Sequence, residues 1–377
     1  MAAYVLYQQK FVGILSDLMM YIILFLLLLY TALILFYALR FLRYKDSFPT
    51  ANSDIPISIV TAVKNESDHI EQFFESINSQ SYNNLDVILV DDHSTDNTLY
   101  LIQHFSSIFP LRVLESNGNG KKAALAAALK YVETPYILFT DCDCIPSPDW
   151  AKCMIHTAIE QNADMVLAPV IIKAKNQKSL FQRLWQAESM SLITLTAASA
   201  ITCRPLMCNG GNMLVSTYLR RQAEGHINNK YLSGDDIFLL QFAVSEHKKI
   251  VYAKSPSTTV STCGPETLGA LLRQRGRWVS KTGGYTDWFT ILVALLVFAA
   301  NISVIVGAVI SAINGWWYIF IILWLLKFIA DALSVRIPSA YYHLPVRWLD
   351  ILALAVVYPF YTLACTVIGM TRKTVWR

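Results

Sequence analysis

Apolar positions fall into two kinds of run along this 377-residue chain. The long runs are residues 18–39 between Asp17 and Arg40, residues 288–326, and residues 351–370 between Asp350 and Arg372, none of which carries a charge. About 20 apolar residues cross a bilayer as a helix. The first and last runs therefore predict one span each, and the middle one, split at Asn314 and Gly315, predicts two. Between them the apolar runs are short and alternate with polar clusters. Residues 55–63, 85–90, 111–114 and 136–140 read as buried strands. Helix-like stretches follow the first three: one running to about residue 77, then 98–108, then an alanine-rich helix to 132 opened by Gly118-Asn119-Gly120-Lys121-Lys122. Such alternation predicts an α/β fold with a mainly parallel sheet covered on both faces, which binds ligands beyond the carboxyl ends of its strands. The polar clusters sit at those ends.

Beyond residue 143 the pattern loosens. Residues 149–161 read as a helix, 165–172 as a strand, and 180–200 as a long helix bearing Trp185 and Glu188. A turn at Cys208-Asn209-Gly210-Gly211-Asn212 leads into 213–216, and Gly234-Asp235-Asp236 precedes a helix over 237–244. The last polar stretch, 266–281, contains Gln274-Arg275-Gly276-Arg277-Trp278 and runs into the next apolar segment. The predicted organisation is a membrane anchor over 1–45, a globular domain over 46–286 with an interfacial helix near 264–286, and a transmembrane region over 287–377.

Composition places the chain in a membrane: 54% of residues are hydrophobic, 15% charged, and the mean hydropathy is +0.40. The first apolar segment exceeds a signal-peptide core and no small-residue cleavage site follows it, so it is expected to remain as an anchor. Arg40, Arg43 and Lys45 follow it and Lys10 alone precedes it. The positive-inside rule then puts the globular domain in the cytoplasm. Three further crossings would leave Arg372, Lys373 and Arg377 outside, against the same rule; a re-entrant segment near Pro359 or one fewer crossing would remove the conflict. The net charge of +4 is accounted for by membrane-flanking residues, with no basic stripe of the nucleic-acid kind. The seven cysteines lack zinc-site spacing and read as free thiols. Lys327 and Asp331 are read as reaching for the membrane edge, with mutual neutralisation at helical spacing as the other option.

The candidate chemistry centres on Asp141-Cys142-Asp143, where the fourth strand ends. On an extended backbone the two acids share one side, with Cys142 on the other. Alone, the three residues read as a turn with capping aspartates. In context they form a carboxylate claw for a hard divalent ion, Mg2+ or Mn2+. A metal there would stabilise a leaving nucleoside diphosphate as a Lewis acid. Lys121 or Lys122 and Arg277 could neutralise the remaining charge, and Asp236 is the candidate general base for an attacking hydroxyl. Asp235 beside it suits a helix N-terminus.

In their order and spacing, Asp91-Asp92-His93-Ser94-Thr95-Asp96, Asp141-Cys142-Asp143, Gly234-Asp235-Asp236 and Gln274-Arg275-Gly276-Arg277-Trp278 resemble the signatures of processive-type family 2 glycosyltransferases. That group includes poly-N-acetylglucosamine, hyaluronan, cellulose and chitin synthases and, more distantly, ceramide glucosyltransferase. The resemblance implies a GT-A-type domain and inverting transfer from a UDP-sugar to a polysaccharide, glycolipid or lipid-linked acceptor at the cytoplasmic face of a bacterial inner membrane. It implies that Thr61, Glu66 and Asp91 or Asp92 hold the uridine, Lys121 approaches the diphosphate, and Asp143 with Asp141 binds the metal. Asp236 would be the base with Asp235 beside it, Arg277 would bind the diphosphate, and Trp278 would contact the acceptor. Gln274 and Arg275 share that donor-binding motif, and Cys208 to Asn212 would line the acceptor site. Asp235 stands where synthases commonly have glutamate, Ile237 where hyaluronan synthases have arginine, and Ala126 where an asparagine is frequent. A homo-oligomer or an accessory synthase subunit would supply the membrane helices that four spans lack for a channel.

Two other readings compete. A degenerate domain serving a synthase complex would have lost the base or the claw, and both are present. Gly118-Asn119-Gly120-Lys121-Lys122-Ala123 fits a dinucleotide fingerprint, but that motif follows the first strand of its unit and here two strand-helix units precede it.

Overall fold

The computed structural model describes residues 2–45, 54–227, 231 and 234–371. The basic tail residues Arg372, Lys373 and Arg377 lie outside the described residues. The chain opens with helix α1 (Ala2–Arg43). Then come β1 (Ile57–Val63), α2 (Ile70–Asn78), β2 (Leu85–Asp91), α3 (Thr98–His104), β3 (Leu111–Glu115), α4 (Lys121–Leu129) and β4 (Tyr136–Phe139). There follow β5 (Ile145–Pro146), α5 (Trp150–Glu160), β6 (Met165–Leu167), β7 (Val170–Lys173), α6 (Leu180–Ile201), β8 (Met213–Ser216) and α7 (Thr217–Gln222). After α8 (Asp235–Ser245) come β9 (Ile250–Tyr252), β10 (Val260–Cys263), α9 (Leu268–Ser280), α10 (Trp288–Asn314), α11 (Trp317–Tyr341) and α12 (Trp348–Thr371).

A seven-stranded sheet runs in the order β3-β2-β1-β4-β8-β6-β9. The first four strands are mutually parallel, as the alternation predicts, while β8 is antiparallel to both neighbours. Period-2 side chains explain why these strands are apolar throughout: Val87 and Leu89 face one core, and Ile88 and Val90 the other. The segment 165–172, expected as one strand, is two. Pro169 has no amide hydrogen to continue the ladder, so β6 stays in the large sheet while β7 joins β5 and β10 in a second, three-stranded sheet.

Four helices are long and apolar enough to cross a membrane, within Gly13–Arg43, Trp288–Asn314, Trp317–Tyr341 and Trp348–Thr371. Three of them are built into the globular domain at one end. Phe41, Ala332, Val335, Ile351 and Leu354 share one core with the strands. Lys254, just after β9, donates to the carbonyl oxygens of Phe41 (2.9 Å) and Tyr44 (2.8 Å), placing a cation on the negative end of α1. Lys327 and Asp331 form an ion pair at 2.5 Å, and Tyr30 of α1 donates to Asp331 at 2.7 Å. The expectation that this lysine reaches for the membrane edge is therefore corrected. Lys327 is only 2% exposed, and Tyr30 together with Asp331 satisfies it inside the bundle.

Candidate active site

The site forms at the carboxyl ends of β1, β2 and β4, because a parallel sheet delivers its strand-to-helix loops to one edge. The loops after β1 and β2 are stitched together. Asn65 N–H donates to Ser94 Oγ (3.0 Å), Glu66 N–H to Thr98 Oγ1 (2.8 Å) and Ser67 N–H to Asp96 Oδ2 (3.2 Å). Against a small loss of hydration, hydrogen bonds from Thr98 and Ser67 pull the Asp96 carboxyl down to about 2. Asp92 is buried, accepting from Lys64 Nζ at 3.2 Å and from Gly120 N–H at 2.8 Å, so it ties the β2 loop to the start of α4. Asp91 accepts from Ser94 N–H at 3.0 Å, but its other oxygen, Oδ1, is buried without a hydrogen-bond partner. Thr61 Oγ1 and Thr140 Oγ1 are likewise buried and unpartnered. The register sets Val60 beside Phe139 and Val63 beside Asp91, so these three oxygens lie on adjoining strands. Buried polar atoms of this kind need a partner, which a polar ligand can supply.

Past β4, Asp141, Asp143 and Cys144 bring one donor atom each to within 4.8 Å of one another. Lys121, at the start of α4, donates to Asp141. Burial alone would lower the lysine pKa, but Asp141, then Asp236 and Asp235, outweigh it and hold the ammonium charged. Asp143 is exposed, yet partial loss of hydration and then repulsion from Asp141 raise its pKa. Glu66 is raised by burial and by Asp143, and pairs with His69 at 2.8 Å. Crowded carboxylates whose repulsion lifts their pKa values fit a hard divalent cation, which would relieve that repulsion. Cys144 lies against the claw, but burial and both acids push its thiol pKa far up, which disfavours a thiolate ligand. Cys142 is buried, but the backbone past β4 is a turn, closed by Cys144 N–H on the Asp141 carbonyl at 3.1 Å, in place of the extended alternation expected there.

The turn at 208–212 fills the space between the claw and α8. A β-carbon on Gly211 would lie 3.3 Å from both Asp141 Oδ2 and Cys144 Sγ, and one on Gly210 would lie 3.4 Å from the Asp236 β-carbon. A side chain at Gly211 would crowd the claw, whereas one at Gly210 would meet Asp236 at ordinary contact distance. Gly210 N–H donates to Asp236 Oδ2 at 3.1 Å. Asn212 is a buried structural amide that accepts from Trp150 Nε1 (2.8 Å) and donates to the carbonyls of Pro169 and Thr258.

Two predicted site residues have partners inside the protein. The Asp235 carboxylate, expected beside the base, lies 3.4 Å from Lys122 Nζ at the first turn of α8, with both side chains only 18% exposed. Arg275 is placed among the donor-binding residues, but its guanidinium is buried, donating to Glu188 and to Tyr361 OH (3.0 Å) and stacking 4.0 Å over Trp278. Arg277 and Trp278 are half-buried at the end of α9, and the half-buried Gln274 has Oε1 without a partner. Lys64, Cys144 and Thr262, which donates to Asp143 at 3.3 Å, escape the sequence reading, and Glu188 is noted there without its partner Arg275. For Lys64 the available signal was its place in a strand-end polar cluster; Glu188 finds its partner 87 positions away.

The family model described as Glycosyl transferase family 2 matches residues 58–216. A poly-beta-1,6-N-acetyl-D-glucosamine synthase of Staphylococcus aureus (strain MSSA476) is 26% identical over 260 residues, 67% of this chain and 61% of the relative. The enzyme of the same name from Staphylococcus epidermidis is 24% identical over 233 residues, 61% of this chain and 54% of the relative. The chain thus spans between 54% and 61% of the length of these two relatives. Among solved structures, the mannosyltransferase PcManGT from Pyrobaculum calidifontis, in complex with GDP-Man and Mn2+, matches with a TM-score of 0.60. That match has 16% identity and covers 94% of this chain and 99% of that one, a likeness of fold alone. The GT-A-type domain with one N-terminal and three C-terminal apolar helices stands as expected.

Proposed function

We propose, from the premise that residues 58–216 are a glycosyl transferase family 2 domain, that this chain transfers a sugar from a UDP-sugar to a glycan, glycolipid or lipid-linked acceptor. The observation that carries the reading is the convergence, at one sheet edge, of the Asp141–Asp143 claw, Lys121 and Asp236, with the glycine turn between them.

In this reading Thr61 and Asp91 receive the uridine at their unpartnered oxygens, and Lys121 meets the diphosphate beside the claw. Arg277 adds a second cation to the diphosphate, and Trp278 borders the acceptor. Asp141 and Asp143 would hold Mg2+ or Mn2+, which supplies Lewis-acid stabilisation of the departing UDP. Asp236 takes the proton of the acceptor hydroxyl as the new glycosidic bond forms and the sugar–phosphate bond breaks. One such displacement inverts the sugar carbon. Asp236 suits the role because it faces the glycine turn, whereas Asp235 is neutralised by Lys122. The two ends of the chain anchor this domain on the cytoplasmic face of a bacterial inner membrane, with residues 1–45 and 287–377 on either side of 46–286. A second copy or an accessory subunit would be required if the product is a polymer carried across the membrane.

The relatives' names make UDP-N-acetylglucosamine the first donor to try. The full-length protein, purified in lipid nanodiscs, is expected to release UDP from a UDP-sugar with Mg2+ or Mn2+ and to stop on EDTA addition. Product sizing then separates a polymer from a single-sugar glycolipid. Retained UDP binding with no turnover of any UDP-sugar tested would favour the degenerate subunit instead.

A further inference from the structure

We infer that α12 lies along the membrane on the same side as the catalytic domain, its apolar face in the adjoining leaflet, and does not cross the bilayer. The argument follows from what holds its two ends.

At its start, Asp350 is 2% exposed and accepts from Arg183 Nε through both oxygens at 3.1 Å. Gln186 donates to the carbonyl of Pro345 at 2.8 Å. Both partners belong to the first turns of α6. Midway, Tyr361 accepts from Arg275 Nε of α9, and its ring lies 5.0 Å from that of Trp185. At its end, α12 meets α9 through two glycines. A β-carbon on Gly276 would come within 2.7 Å of Ile368 Cγ2, and one on Gly369 within 2.6 Å of the Val279 β-carbon. Contact that close fixes the end of α12 against the end of α9.

Both of these partner helices lie on the catalytic domain. They leave strands β7 and β10, which pair side by side from Val170–Val260 to Lys173–Cys263. The far end of α9 is held there as well. The Lys281 side chain lies against Gly234, and Thr286 N–H donates to Gln241 of α8 at 3.1 Å, directly before α10 enters the bilayer at Trp288. Val279, and with it Gly369, is thus on the catalytic side, as Asp350 is. At 1.5 Å per residue the 24-residue helix is about 36 Å long, and a crossing would carry its end across about 30 Å of hydrocarbon. A helix with both ends tied to one domain surface makes no such crossing.

Surface chemistry identifies the partner. The outward face of α12 presents Leu349, Leu352, Val356, Phe360, Leu363 and Val367, all exposed and all apolar. Asp350, Tyr361 and Gly369 face the protein. A face of this kind beside membrane-crossing helices belongs in acyl chains, with the catalytic domain taking the place of the polar face of an ordinary interfacial helix. Charge points the same way. With crossings by α1, α10 and α11 only, Arg372, Lys373 and Arg377, which follow α12 in sequence, share a side with Arg40, Arg43 and Lys45, as the positive-inside rule requires. Lying across α6 and α9, α12 also becomes a strap over the helix that carries Arg277 and Trp278.

The test uses the full chain with an epitope either after Gly315, between α10 and α11, or after Arg377. In intact cells the first is expected to be reached by antibody from outside, and the second only after the membrane is opened. If both are reached from outside, α12 crosses and the inference fails. Spin labels at Leu349, Val356, Leu363 and Met370 give an independent reading: similar depths along the helix support it, and a depth maximum at mid-helix overturns it.

Discussion

Asp236 and Gly210 are joined by a hydrogen bond of 3.1 Å from the glycine N–H to one carboxylate oxygen, while Ile237 N–H donates to the other oxygen at 2.9 Å. The first residue pair of α8 thus divides its labour: Asp235 turns to Lys122, and Asp236 turns to the glycine turn beside the claw. Asp236→Asn keeps the shape and removes the basicity. UDP release is expected to fall by about 10²–10⁴-fold, the usual contribution of a general base, with UDP affinity unchanged by calorimetry. Equal turnover in the variant would remove Asp236 from the mechanism.

Lys121 and Asp141 form the second functional pair. Lys121→Met is expected to weaken UDP binding and slow turnover together, because it removes a cation from the diphosphate site. Asp143→Asn should instead raise the metal concentration needed for half-maximal activity by at least tenfold. A metal titration that is unmoved in Asp143→Asn would dissociate the claw from the metal.

Glu66 and Asp235 both have pKa values raised in the folded chain, Glu66 by burial and then Asp143, and Asp235 by burial against the opposing pull of Lys122. A carboxyl with a raised pKa binds more protons folded than unfolded, so stability falls as pH rises from the unfolded-state value through the folded one. Metal-free protein is therefore expected to melt higher at about pH 5 than at pH 8, starting above the ordinary carboxyl range near 4. Asp235→Asn should flatten that dependence. A melting temperature that rises steadily from pH 5 to 8 would contradict it.

Glu188 and Arg275 make a buried ion pair between α6 and α9. Glu188→Gln leaves the guanidinium uncompensated, at an expected cost of about 3–5 kcal/mol. The Glu188→Gln, Arg275→Met double variant should recover a large part of that loss in thermal melts. Full additivity of the two single losses would show that the residues act independently.

Lys254 caps α1 across the domain boundary. Lys254→Met is expected to lower stability by about 1–3 kcal/mol, the cost of leaving buried acceptors unsatisfied. Limited proteolysis should then cut sooner between α1 and β1. An unchanged digestion rate would assign the anchoring to the apolar contacts of Phe41 alone.

Much of this architecture was legible in the residues themselves. Short, continuous apolar runs ending in polar clusters specify parallel strands that deliver polar groups to one edge, and long uncharged runs specify helices for a bilayer, because both signals are local in sequence. The acids at the end of β4 were readable as a polar cluster, but what brings Asp141 and Asp143 together is a turn, closed by Cys144 N–H on the Asp141 carbonyl at 3.1 Å, and not the shared face of an extended strand. What surrounds a residue was decided by tertiary structure. Neighbours in one motif, Asp235 and Asp236 went to different partners, the first to Lys122 and the second to the Gly210 amide. Arg275 went to Glu188, and Lys327 with Asp331 to Tyr30, a residue 301 positions from that aspartate. A charge buried far from water must find its counter-group wherever packing brings one, and no spacing along the chain records where that will be.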